Sequence, residues 1–152
     1  AVIRGLVKDD GGAPLAGVLV RVLGQADVGY TYTRADGIFD IAVNGGGEVV
    51  VDYVKSGYLR AQRKVDAPWG DWAWVDDTRM IQLDPAVETI TTGPGAPQQL
   101  SRGSVVTDVD GTRRLSLIWP AGVTAELVFA DGSRQPAPTL NVRATEYTVG
   151  PD

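Results

Sequence analysis

Apolar and polar residues alternate along this chain in short runs, and nearly every run stops at a turn that carries glycine. In the stretch Thr31-Tyr32-Thr33-Arg34-Ala35-Asp36-Gly37-Ile38-Phe39-Asp40-Ile41, aromatic and β-branched residues favour a pleated, half-buried surface, and Gly37 supplies positive φ at no steric cost. It predicts two short strands folded about an Asp-Gly turn. Asp9-Asp10-Gly11-Gly12, Asn44-Gly45-Gly46-Gly47, Asp110-Gly111 and Asp131-Gly132 repeat the arrangement. Strands are predicted over Val2–Val7, Val18–Val22, Tyr30–Thr33, Ile38–Ala42, Val49–Tyr53 and Ala61–Val65, with Met80–Leu83 closing the set. Alternation puts Val18, Val20 and Val22 on one face against Leu19 and Arg21, and sets Val49, Val51 and Tyr53 against Val50 and Asp52. Sheets with one buried face, joined by short turns, suit a two-sheet sandwich. Pro, Gly and β-branched residues interrupt every window long enough for a helical period.

The strand-rich part ends at Asp84-Pro85. Thr91-Thr92-Gly93-Pro94-Gly95-Ala96-Pro97-Gln98-Gln99 has the make-up of a linker or long loop, since proline removes donors that a ladder needs. Beyond it, Ser104–Thr107, Arg114–Trp119, Thr124–Phe129, Thr139–Val142 and Glu146–Val149 predict further short strands. Leu115, Leu117 and Trp119 alternate with Ser116 and Ile118, and Leu127 and Phe129 oppose Glu126 and Val128. This half is thin in apolar residues for an independent domain. The expected division is therefore residues 1–84 and 85–152, both all-β, with the second completed by chain beyond Asp152.

Taken in order, Gly5-Leu6-Val7, Pro14-Leu15-Ala16-Gly17-Val18-Leu19-Val20, Ala35-Asp36-Gly37-Ile38-Phe39 and Gly57-Tyr58 resemble the carboxypeptidase regulatory-like family, a small transthyretin-like β-sandwich. The resemblance covers roughly residues 1 to 84. It implies a non-catalytic module that is an accessory to something larger. Pro68-Trp69-Gly70-Asp71-Trp72-Ala73-Trp74, Ile81-Gln82-Leu83-Asp84-Pro85, Arg102-Gly103-Ser104-Val105-Val106-Thr107-Asp108, Asp110-Gly111-Thr112-Arg113 and Arg143–Gly150 are similar to the region preceding the tyrosine-aspartate repeats of bacterial rearrangement-hotspot and teneurin-like proteins. That resemblance implies a secreted or cell-surface bacterial protein, with residues 85–152 as part of a fibronectin-like plug sealing a large β-shell. The partner it implies is the rest of the same polypeptide. The chain itself carries no run of such repeats.

Composition narrows the chemistry. With no cysteine and no histidine, disulfides, thiolate metal sites, imidazole-bound zinc and Ser-His-Asp or Cys-His catalysis cannot be assembled from this chain alone. No run of about 18 apolar residues is present, so no segment is expected to insert in a membrane. The net charge is −5; residues 1–84 carry nine basic and twelve acidic groups, and residues 85–152 carry five and seven. With no Lys/Arg run, a nucleic-acid backbone is repelled on average. Residue 1 begins directly in strand-like sequence, so any signal peptide is expected to lie outside the chain.

Four constellations remain. Trp69, Trp72 and Trp74 offer either flat faces for sugar C–H groups, with Asp71, Asp76 and Asp77 as hydroxyl acceptors, or buried area against the sandwich edge or a second domain. Together with Trp119 they are the expected interdomain or ligand surface, because aromatics dominate buried interface centres. Asp108-x-Asp110-Gly111 opens like a calcium loop, but the acidic ligand required at position 119 is Trp119, and a hairpin turn explains it better. Asp9-Asp10 and Asp76-Asp77 are read in the same way, so no metal or cofactor is expected. Lys8, Lys55, Lys64, Asn44 and Asn141 could supply a Lys–Asn cross-link, though edge lysines more commonly blunt strand pairing. No carboxylate pair is marked out for glycosidase chemistry. The expectation is a non-enzymatic structural module; the alternative is a carbohydrate-binding or adhesin-type surface module using Trp69, Trp72 and Trp74.

Overall fold

In the computed structural model, which describes residues 1–147, the alternating runs become strands of two compact units, Ala1–Gln82 and Leu83–Asp152. The first is built on β1 (Val2–Asp9), β2 (Leu19–Val22), β3 (Tyr30–Tyr32), β4 (Ile38–Ala42), β5 (Gly47–Val54), β6 (Ala61–Ala67), β7 (Trp72–Trp74) and β8 (Thr78–Met80), with one turn of 3₁₀ helix at Ala26–Val28. One sheet runs β3-β2-β5-β6, all antiparallel. In the other, β4 pairs antiparallel with one side of β1, while β7 and then β8 pair parallel with it, Val2 opposite Trp72 and Val7 opposite Thr78.

The valines that alternation assigned inward are inward. Val18, Val20, Val22, Val49, Val51 and Tyr53 join Ile3, Val7, Phe39, Ile41, Val75 and Met80 in one core. Phe39 of β4 meets Tyr53 of β5 edge-to-face across the two sheets, with ring centroids 5.7 Å apart, a favoured aromatic geometry. Gly5 stands opposite Phe39 on β1. A Cβ there would lie 2.8 Å from the Phe39 ring and 2.5 Å from Val75 Cγ1, so the absent side chain is what lets the ring lie across the strand.

Two expectations are corrected here. The Asp36-Gly37 turn forms, with Gly37 at φ 76° and Arg34 and Ile38 closing it, but its strands do not make a hairpin ladder. β3 pairs with β2 and β4 with β1, in different sheets. Thr33 explains the parting: its buried hydroxyl accepts from Val18 N and donates to Leu15 O, which holds the chain to the β2 side before it crosses. The second concerns Asp52, set on the polar face by alternation yet fully buried. It lies opposite Arg21 on β2 and Gln62 on β6, and Arg21, Arg60 and Gln62 all donate to it. Burial pushes its carboxyl up, but those donors outweigh it and hold it below the usual range.

The Tyr53 phenol is fully buried, and burial pushes it up to about 12, against the Thr78 hydroxyl and the charge of Arg63. Its unfolded value is about 10. The stability it contributes is therefore complete below pH ~10 and is lost as pH rises through about 12, an expected loss of about 3 kcal/mol. Urea titrations between these pH values should show this loss in the wild type and not in Tyr53→Phe; equal alkaline losses in both would refute it.

In the second unit, β9 (Glu88–Thr91) pairs with β14 (Thr139–Val142), β10 (Gln99–Asp108) with β11 (Gly111–Trp119), and β12 (Glu126–Val128) with β13 (Arg134–Pro136). The stretch read as a linker is thus partly ordered: Thr91 ends a strand, and the Gln99 side chain bonds both its N–H and its C=O. Asp84 makes its hydrogen bonds here, accepting from Ala86 N, Ser104 N and Ser104 Oγ, while its own N–H donates to Thr145. Gly103 has no room for a Cβ, which would lie 2.6 Å from Ala144 O. Apolar burial is sparse. Among the described residues of this unit Ile90 is the one large buried aliphatic, while Ile118, Leu127, Val128 and Phe129 are exposed. Of the strand predicted over Glu146–Val149, Glu146 and Tyr147 are not in a strand, and the rest lies outside the described residues. Met80–Leu83 shifts to Thr78–Met80, after which Ile81 O accepts from Leu59 N.

Candidate functional site

Short strand β7 places the tryptophans. Its central Ala73 is buried, so by the two-residue period Trp72 and Trp74 both point outward. Their side is not packed: Trp72 is 53% exposed and Trp74 66%. Trp69, at 82% exposure, is seated on the glycine turn that follows β4. A Cβ on Gly46 would run into the Trp69 indole, and one on Gly45 into Pro68 O. The Asn44–Gly47 run therefore serves as a backbone seat for the Pro68-Trp69 loop. Gly46, Val65, Asp66, Ala67 and the three tryptophans line an open groove of about 540 Å³.

Beside this groove lies a row of charge. Arg4, opposite Trp74 on β1, holds its guanidinium 4.8 Å from the Trp72 ring centre and 5.7 Å from that of Trp74, within range of cation–π attraction. Asp40, opposite Arg4 on β4, accepts from both Arg4 and Arg34. The Arg4 hydrogen bond, aided by Arg34, holds the Asp40 carboxyl below the usual range despite burial, and in turn raises the Arg4 guanidinium. The sequence reading had picked out the tryptophans but not Arg4. Its signal was register, which places residue 4 beside residue 74.

Trp119 belongs to the second unit, where it is half-buried and its Nε1 donates to the buried Ser101 hydroxyl. The other candidates have local partners. Asp108 caps its hairpin at Asp110 N and accepts two bonds from Arg113, which lower its carboxyl. Lys8 pairs with Asp77, Lys64 with Glu48, and Lys55 donates to Ala16 O. Asn141 accepts from Thr89. Among the described residues no cluster of three or more acidic groups is arranged for a metal ion, and no helix is long and apolar enough to cross a membrane.

An all-β sandwich of this topology, carrying an exposed aromatic edge, has the form of a transthyretin-like module. Residues 1–80 match the family model of the teneurin TTR-like domain. The chain belongs to that family. It is 39% identical over 84 residues to Teneurin-3 of Danio rerio, which covers 55% of this chain and 3% of that protein. Against Teneurin-m of Drosophila melanogaster it is 36% identical over 92 residues, 60% of this chain and 3% of that one. The chain thus spans about 3% of the length of these curated relatives, in which the matched domain is one small part. Among solved structures it is similar to the Bacillus anthracis TIE protein, with 14% identity, a TM-score of 0.46, 90% of this chain covered and 30% of that one.

Proposed function

We propose that this chain is a non-catalytic structural module of a bacterial secreted or cell-surface protein with tyrosine-aspartate repeats. In this reading residues 1–84 form the bracing sandwich and residues 85–152 part of a plug whose remainder follows Asp152. The observation that carries it is the Arg4–Trp72–Trp74 face. Tryptophan and arginine are the residues that most often anchor buried protein interfaces, and here they are pre-positioned on a sheet edge and left uncovered. Covered by the β-shell of the same polypeptide, that face holds the sandwich in place. The sparse apolar burial of the second unit fits the same account, since Ile118, Leu127, Val128 and Phe129 await a covering surface. The module has no enzymatic role, needs no cofactor and binds no nucleic acid.

A second reading, in which Trp69, Trp72 and Trp74 bind polysaccharide, is favoured by their exposure. The guanidinium of Arg4 lies over the rings of Trp72 and Trp74, where a stacked sugar would have to compete with it. Tryptophan emission and quencher accessibility distinguish the two. Emission is expected to be exposed in this chain and blue-shifted and protected in the full polypeptide. Rings still quenchable in the full polypeptide, with emission that responds to an added glycan, would establish the second reading instead.

A further inference from the structure

A second aromatic site lies on the other sheet. Tyr30 and Tyr32 project from the outer side of β3, at the edge of the sheet, 66% and 54% exposed. Their rings are fixed edge-to-face at 5.7 Å. With Leu19, Arg21, Gln25 and Gly29 they line a cavity of about 370 Å³, within the range of small-ligand sites. Arg21 stands opposite Tyr30 on β2, and its Nε is held by the fully buried Asp52 at 2.9 Å. Its terminal guanidinium nitrogens donate to none of the described residues, so they are oriented and available. No acidic side chain lines the cavity.

We propose that the cavity bounded by Tyr30, Tyr32, Arg21 and Gln25 binds a hexuronic acid residue of an acidic polysaccharide. The two demands of the site are an anion for Arg21 and a flat apolar face for the tyrosines. A pyranuronate ring meets both within one sugar, through its carboxylate and its C–H face. An Asp or Glu side chain brings the carboxylate alone. A planar guanidinium is matched to bidentate carboxylate recognition, and Asp52, which also accepts from Arg60, holds the Nε edge of Arg21 in place. This site is separate from the Trp72–Trp74 face and does not depend on the shell reading.

The test uses the 152-residue chain with an oligogalacturonate as probe, followed by amide chemical shifts and calorimetry. Shifts are expected at Gly29, Tyr30 and Tyr32, with binding about tenfold weaker for a neutral cello-oligosaccharide. Arg21→Gln and Tyr30→Ser are each expected to weaken binding by about tenfold, and Trp74→Ala to leave it unchanged. Tyr30 is on the surface, so its variant keeps the test meaningful if Arg21→Gln perturbs the Asp52 cluster. No shift at these amides, equal binding of the neutral oligomer, equal binding of poly-glutamate, or loss in Trp74→Ala would each overturn the proposal. Poly-glutamate binding would identify an acidic peptide site. Loss in Trp74→Ala alone would move the sugar to the tryptophan face.

Discussion

Phe39→Ala is expected to lower the stability of the first unit by about 3–5 kcal/mol, the usual range for an aromatic deleted from a packed core. The residue is fully buried, spans from one sheet to Tyr53 of the other and rests on a glycine that has no side chain with which to refill the space. Collapse into the cavity is further limited because Gly5 and Phe39 sit in paired strands whose spacing the ladder fixes. Since domains of this size are stable by about 5–15 kcal/mol, the loss is a large share of the total. A urea titration read by circular dichroism should show a lower midpoint at an unchanged slope. A loss under about 1 kcal/mol would mean that the two sheets are not held through this ring.

The second large effect is a contrast between two glycines with the same backbone. Gly24 and Gly37 both have φ 76°. A Cβ on Gly24 meets nothing within 4 Å, whereas one on Gly37 would lie 2.5 Å from Val7 O and 3.2 Å from Leu15 N. Gly24→Ala should therefore cost only the left-handed conformation, about 1–2 kcal/mol. Gly37→Ala should cost that and the displacement of β1, about 3–4 kcal/mol together. The displacement also breaks the bond from Val7 N to Gly37 O, 2.9 Å long. Equal losses in parallel denaturation experiments would show that the Asp36-Gly37 turn is not pressed against β1.

These contrasts also show what could be read from residues in order. The inward sets of β2 and β5 follow from a period of two, which needs no knowledge of partners. The glycine turns are equally local: Gly37, Gly111 and Gly132 all adopt positive φ where the chain reverses. Anything that depended on which strand lies beside which was hidden. Thr33 looks like an ordinary strand residue until its hydroxyl is found bridging Val18 and Leu15. Asp52 obeys the alternation yet is enclosed, because Arg21 and Gln62 fall beside it on two different strands and Arg60 folds over it. The tryptophan surface was legible as a cluster, since its three rings lie within six residues of sequence. Its coupling to Arg4 and Asp40 was not, being made across β1 and β4. In the second unit the pattern was faint for a physical reason: its apolar residues divide between faces without filling either.

The parallel pairing of Val2–Arg4 with Trp72–Trp74 ties the start of the first unit to its end, and this bears on how the chain is made. Throughout synthesis β1 has one flank that nothing can occupy until the segment carrying Trp72–Met80 has emerged. Contacts of such wide sequence separation are formed late and slowly. A chain released before that segment is made would leave one flank of the eight-residue β1 offering its unpaired backbone to a neighbour, the condition under which β-proteins associate edge to edge.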